Sequence, residues 1–184
     1  MRRLSVFNLI TLDGFFEGPE HDISWHRTDA EFNEQAGDMT KSSDTLVFGR
    51  VTYQLMERYW PTPDAVKNDP VIAGVMNQTP KVVFSRTLKS VAWGNTTLLS
   101  GNLAAEIRKR KQMPGKNITI LGSGTIVSAL APLGLIDEYQ LLLNPIILGS
   151  GTPMFNGIKE RLDFKLVQSR AFQSGNVLLI YKPA

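Results

Sequence analysis

Leu121-Gly122-Ser123-Gly124-Thr125 follows a β-rich run, Ile118 to Leu121, and opens an amphipathic segment that carries Ile126, Val127 and Leu130. Phe48-Gly49-Arg50-Val51-Thr52-Tyr53 repeats the arrangement earlier in the chain. There Thr45 to Phe48 reads as a strand, and Val51, Leu55 and Tyr59 mark a helix that stops before Pro61. Both junctions run strand, glycine, helix. A helix N-terminus offers unpaired N–H groups and the positive end of the macrodipole. Glycine lets a phosphate approach that backbone with no Cβ in the way. Two such junctions in one small domain point to a ligand with several phosphates, such as a dinucleotide.

Outward from these junctions the signals alternate. Arg3 to Leu9 reads as a strand that leaves through Thr11-Leu12-Asp13-Gly14 into a loop reaching Arg27. Thr28 and Glu31 form a capping box for a helix from about Asp29 to Lys41, with Phe32, Ala36 and Met39 at helical spacing. Asp64 to Asp69 is loop-like, and Pro70 suits a helix's first turn. Lys81 to Phe84 and Thr97 to Leu99 are strands. Asn102 caps a helix that Pro114-Gly115 ends, and Glu138 to Ile147 is a long apolar strand. Phe164 to Phe172 and Val177 to Tyr181 form a hairpin turning at Ser174-Gly175-Asn176. This order predicts one α/β domain over residues 1–184, with a mainly parallel central sheet flanked by helices and an antiparallel C-terminal hairpin. Ligands on such sheets bind beyond the strand C-termini, where both glycine junctions lie.

The totals narrow the function classes. The 184 residues are 42% hydrophobic and 20% charged, as in a globular domain able to bury a core. With no cysteine, disulfides, thiol catalysis and Cys-ligated zinc are excluded, in keeping with a cytoplasmic location. The N-terminal apolar run is broken by Asn8, Thr11 and Asp13, so it reads neither as a signal peptide nor as a membrane span. Net charge is +3, and the densest basic run, Arg108 to Lys111, reads as a solvated helix end rather than a nucleic-acid contact. No aromatic residue interleaves with it. His21 and His26 fit no metal-ligand spacing and read as loop residues. Trp25, Trp60 and Trp93 read as packing residues, with Trp25 a possible wall of a substrate pocket.

The order of these signals resembles the dihydrofolate reductase-like superfamily over nearly the whole chain. Within it, the chain is most similar to the C-terminal reductase domain of the riboflavin-biosynthesis deaminase/reductase, the RibD C-terminal domain family. Thr11-Leu12-Asp13-Gly14-Phe15 is similar to that family's loop over the nicotinamide, and Phe48 to Tyr53 to its Gly-Arg-x-Thr cofactor motif. Val83-Phe84-Ser85-Arg86 sits where the family places its 2′-phosphate and adenosine contacts. Leu121 to Thr125 is similar to its pyrophosphate loop, and Asn144 to Phe155 looks like the riboflavin-type reductase. True dihydrofolate reductases carry an acid near the start of the first helix, where this chain has Glu31 and Asn33. The Thr that partners that acid falls near Leu142, which is apolar.

On this resemblance the expected cofactor is NADPH. It would be held by Gly49, Arg50, Thr52, Ser85, Arg86, Gly122, Ser123, Gly124 and Thr125. Each has a plainer reading as well. The glycines suit any tight turn, and Ser85 and Arg86 suit a polar loop. Thr52 can offer a hydroxyl, and Arg50 a forked donor set that fits phosphate. Asp13 and Glu31 are the candidate catalytic acids, against their readings as turn former and capping-box acid. The expected activity is NADPH-dependent reduction of a small heterocyclic substrate, with 5-amino-6-(5-phosphoribosylamino)uracil reduction as the candidate. The alternatives are a pterin reductase-like enzyme and a non-catalytic NADPH-binding module. No membrane or nucleic-acid partner is expected. The apolar run from Glu138 to Ile147 and the terminal hairpin suggest a homodimer, as in the riboflavin-type relatives.

Overall fold

A computed structural model describes the backbone of residues 1–184 and every side chain except those of residues 39 and 40, so the helical placement of Met39's side chain lies outside the described residues. In chain order the elements are β1 (Leu4–Thr11), β2 (Phe15–Glu17), α1 (Ala30–Ser42), β3 (Ser43–Gly49), α2 (Arg50–Tyr59), α3 (Pro63–Asn68), α4 (Pro70–Gln78) and β4 (Lys81–Phe84). Then come β5 (Thr96–Leu99), α5 (Leu103–Gln112), β6 (Asn117–Leu121), α6 (Gly124–Leu130), β7 (Glu138–Asn144), β8 (Thr152–Pro153), β9 (Phe164–Ala171) and β10 (Val177–Pro183).

Eight strands form one sheet in the order β5-β4-β3-β6-β1-β7-β10-β9. Pairing is parallel from β5 through β7. It turns antiparallel at β10 and β9. Side chains alternate across the pleat. Leu4, Val6, Val47, Ile118 and Ile120 point to the face packed by α5 and α6 through Ile107, Val127 and Leu130. Phe7, Leu9, Leu46, Phe48 and Leu121 point to the face packed by α1, α2 and α4 through Ala36, Tyr53, Ile72 and Met76. Each face therefore has its own core, as a parallel sheet requires.

Several local expectations are corrected. The cap of α1 is Asp29, whose Oδ1 accepts from the Phe32 N–H at 2.7 Å, and not a Thr28–Glu31 box. Glu31 turns to the C-terminal hairpin instead, accepting from the Gln173 N–H at 2.6 Å. Residues 63–68 form α3 where a loop was expected, because Thr62 accepts from the Ala65 N–H and Pro63 fills the first turn. β7 ends at Asn144, and its apolar run lies between β1 and β10 rather than at an edge. The short antiparallel ribbon β2–β8 has no counterpart in the periodicity of the sequence.

Buried polar groups pin the frame. Lys81, 1% exposed, donates to the carbonyls of Met76 and Thr79, both at 2.8 Å, at the end of α4. Burial lowers its ammonium to about 8. Asn144 Oδ1 accepts from the Arg27 N–H at 3.0 Å and Asn176 Nδ2 donates to the Arg27 carbonyl at 2.8 Å, so two fully buried asparagines clamp one residue of the long β2–α1 loop. Beside that clamp, His26 Nε2 is buried with no partner among the described residues. Desolvation pushes its imidazole down to about 4. The folded state thus keeps His26 neutral, while the unfolded chain takes up a proton below about 6.5. Stability should therefore be full above about pH 6.5 and fall as the pH drops toward about 4, by about 3 kcal/mol from this group. Urea titrations across that range should show the decline, and a His26→Leu variant should flatten its upper part.

Candidate functional site

The two glycine junctions lie side by side because β3 and β6 are neighbouring parallel strands. From their C-terminal ends the chain departs in opposite directions, α2 onto one face of the sheet and α6 onto the other. This is a topological switch point, where an open α/β sheet leaves a crevice. The crevice here is a cleft of ≈ 480 Å³. Its walls include Gly49, Arg50 and Thr52 from the first junction, and Ser123, Gly124 and Thr125 from the second. Ser85 and Arg86, just beyond β4, complete that wall. Of the nine residues expected to hold a cofactor, only Gly122 stands behind the lining.

The junctions are stitched to each other. Ser123 Oγ accepts from the Gly49 N–H at 2.7 Å, and Thr52 Oγ1 accepts from the Ser123 N–H at 3.1 Å. Gly122 and Ser123 both have left-handed backbone, with φ of +58° and +60°. A Cβ on Gly122 would also come within 2.9 Å of Thr52 Cγ2. The double reversal carries the chain from β6 into α6 and turns the Ser123 hydroxyl back beneath Gly49. Thr52 and Ser123 therefore shape the cleft floor as well as lining it. Ser85 has a comparable local task. Its Oγ accepts from the N–H groups of Thr87 and Leu88, at 3.1 and 3.0 Å, and fixes the turn that carries Arg86. Arg50 donates to Gln54 at 3.0 Å. Among the described residues, neither Arg50 nor Arg86 forms an ion pair with a carboxylate.

The opposite wall comes from the β2–β8 ribbon and its flanks, which the sequence reading left out. Phe16, Glu17, His21, Thr152, Pro153 and Asn156 line it, and Ser128 joins from α6. The Phe16 ring lies against Gly124, where an added Cβ would sit 2.7 Å from its Cε1. A side chain at position 124 would have to displace this ring. The advance signals for this wall came from the family resemblance, in Thr11 to Phe15 just before Phe16 and in Asn144 to Phe155, which contains Thr152 and Pro153.

The two candidate acids are not in the cleft lining. Asp13 accepts from the Thr11 hydroxyl at 2.5 Å and from the Gly149 N–H at 2.8 Å. The Thr11 bond leads in holding its carboxyl below the usual carboxylate range. Asp13 ties the turn after β7 to the end of β1, in line with its reading as a turn residue. Glu31 is committed to Gln173 and to Arg170, at 2.6 and 3.2 Å. Leu142 is fully buried between Leu9 and Leu178, and Trp25 packs in the same core with its Nε1 donating to the Asp22 carbonyl. Among the described residues, no three His, Asp or Glu side chains are grouped to hold a metal ion.

Residues 2–178 match the model of the RibD C-terminal domain family. The chain belongs to that family. It is 31% identical over 180 residues to the uncharacterized protein YyaP of Bacillus subtilis (strain 168), covering 98% of this chain and 94% of YyaP. A protein of Shewanella sp. PV-4 assigned to riboflavin biosynthesis superposes with a TM-score of 0.74 at 22% identity, over 99% of each chain. Dihydrofolate reductase from Enterococcus faecalis, solved with NADP(H), superposes with a TM-score of 0.66 at 16% identity, over 98% of this chain and 96% of the other. The fold is dihydrofolate reductase-like, as the order of elements suggested. The Thr52–Ser123 stitch can be tested apart from any ligand. Thr52→Val should leave the Ser123 N–H without its acceptor and cost about 1–3 kcal/mol of stability in ligand-free protein. Urea denaturation with an unchanged m-value would measure it.

Proposed function

We propose that this chain is an NADPH-dependent reductase that delivers hydride to a C=N or C=O of a small heterocyclic substrate. One observation carries the reading. Among the described residues, a cleft at the switch point is lined by two guanidinium groups without carboxylate partners, while Glu17 is its sole lining acid and is already paired with His21. Such a cleft has the charge that a dinucleotide with an extra phosphate needs. Membership of the RibD C-terminal domain family and the NADP(H)-bound dihydrofolate reductase neighbour support it. The candidate reaction is reduction of the ribose of 5-amino-6-(5-phosphoribosylamino)uracil to ribityl. When bound, the cofactor supplies the hydride chemistry, and the protein's part is to bind, orient and exclude water. Arg50 and Arg86 would neutralise phosphate charge, and Phe16 would cover the Gly124 backbone.

A second reading, a nucleotide-binding module without turnover, is favoured by one observation: Asp13 and Glu31 are engaged with backbone N–H groups away from the cleft. NADPH oxidation in the presence of candidate pyrimidines and pterins separates the two readings, since the module would bind NADPH and consume none.

Cofactor choice is the first test. A charge-assisted hydrogen bond contributes about 1.5–3 kcal/mol. NADPH should therefore bind about tenfold or more tightly than NADH in calorimetry. Arg86→Ala should narrow the gap, and equal affinities in the wild-type protein would remove the reading.

We also propose a homodimer, through the terminal hairpin alone and not through the run from Glu138 to Ile147, which lies inside the sheet. One edge of the sheet is β9, where Leu166 and Val167 are each 54% exposed and Phe164 is also exposed, and Phe155 lies exposed beside it. A long apolar edge is a liability unless paired or covered. Light scattering at micromolar concentration should give twice the 20.5 kDa chain mass. Leu166→Lys should shift it to the monomer.

A further inference from the structure

His21 has no role in the reading above, yet it stands in the cleft on a strained backbone. Glu20 and His21 are consecutive non-glycine residues with φ of +56° and +64°. Side chains rarely tolerate this conformation, and observed outliers of the kind concentrate at functional positions. The turn is closed by its own backbone, with Gly18 N–H to Asp22 O at 2.8 Å and Asp22 N–H to Pro19 O at 3.1 Å. Its outcome is to bring His21 Nδ1 to 2.9 Å from Glu17 Oε1. Half-exposed ion pairs add little stability, so the pair does not account for the strain. Glu17 itself is rigidly placed. Its side chain is 11% exposed, it pairs with Thr152 across the β2–β8 ribbon, and a Cβ on Gly151 would collide with its carbonyl.

We infer that His21 is a ligand-contacting residue of the cleft that binds a diphosphate oxygen of the dinucleotide. This rests on the cofactor reading proposed above. In the protonated ring both nitrogens donate, so one serves Glu17 and the other a phosphate oxygen. The charged groups lining the cleft around the ring are Glu17 from β2, Arg50 from α2 and Arg86 beyond β4. The diphosphate is the assigned partner, rather than the 2′-phosphate, because the ribbon carrying Glu17 packs by Phe16 on Gly124, in the loop that the family resemblance implies for pyrophosphate, while Ser85 and Arg86, implied for the 2′-phosphate, stand beyond β4.

The test is calorimetric titration of wild-type, His21→Asn and His21→Gly protein with NADPH and with NADH, alongside thermal melts. Asn and Gly both accept the left-handed backbone, so the variants keep the turn. The expected result is a loss of affinity of about tenfold for both nucleotides, with melting temperatures unchanged or raised. Unchanged affinity for both, or loss for NADPH alone, would overturn the assignment while leaving the cofactor reading standing. Wild-type protein that binds neither nucleotide would overturn both.

Discussion

Insertion of β6 between β1 and β3 is the constraint on which the rest of the site depends. β6 is made late, after the chain has built β3, β4 and β5 outward to one edge of the sheet. Its return to the centre sets two strand-to-helix junctions next to each other, with their helices leaving on opposite faces. The hydrophobic pattern enforces the position. Ile118 and Ile120 are fully buried on one face, while Thr119 on the other is hydrogen-bonded to both Ser5 and Ser43. A register slip of one residue would turn the isoleucines to the hydroxyl side and strand those hydroxyls in an apolar core. Ser123 and Thr52 then lock the junctions at their tips, so the cleft is formed by the same contacts that close the fold.

The ligand edge is built of loops, but those loops are tied down one by one by polar side chains. Asp13 holds Gly149, Ser85 holds Thr87 and Leu88, and Asn144 and Asn176 hold Arg27. Each tie fixes a loop backbone group to a side chain of the frame. The consequence is a cleft whose backbone is preorganised, while its charge sits on the longer and freer side chains of Arg50 and Arg86. Affinity in such a site is gained by not having to order the frame on binding.

The sequence made the sheet and the first wall of the cleft legible. The glycine junctions follow clear apolar runs, and alternation of strand and helix is a long-range pattern that composition cannot blur. The second wall was not legible, for physical reasons. β2 and β8 are three and two residues long, too short for any periodic signal, and they find each other across the whole domain. Thr28 and Asp29 are competing caps one residue apart, and the four residues from Asp29 to Phe32 suit either reading until the backbone is seen. Glu31 left its box because a hairpin that begins at Phe164 arrives to take its carboxylate. α3, by contrast, did carry its signal in Thr62-Pro63-Asp64, a cap followed by proline and an acid in the first turn.

The relocation of Asp13 and Glu31 has a bearing on chemistry. A carboxylate that accepts two or more N–H or O–H donors is stabilised as the anion and is a poor proton donor near neutrality. Asp13 is in that condition, and Glu31 is bound to a backbone N–H and a guanidinium. Neither carboxylate lines the cleft. Glu17 is the acid that the fold does bring to the cleft, and it arrives on a ribbon fixed by Gly151 and paired to an imidazole. The charge pattern of this cleft is thus two arginines on the sheet side facing a carboxylate–imidazole pair on the ribbon side. On the cofactor reading proposed above, a dinucleotide laid along the switch point would present anionic oxygen to the first wall, where Arg50 and Arg86 stand.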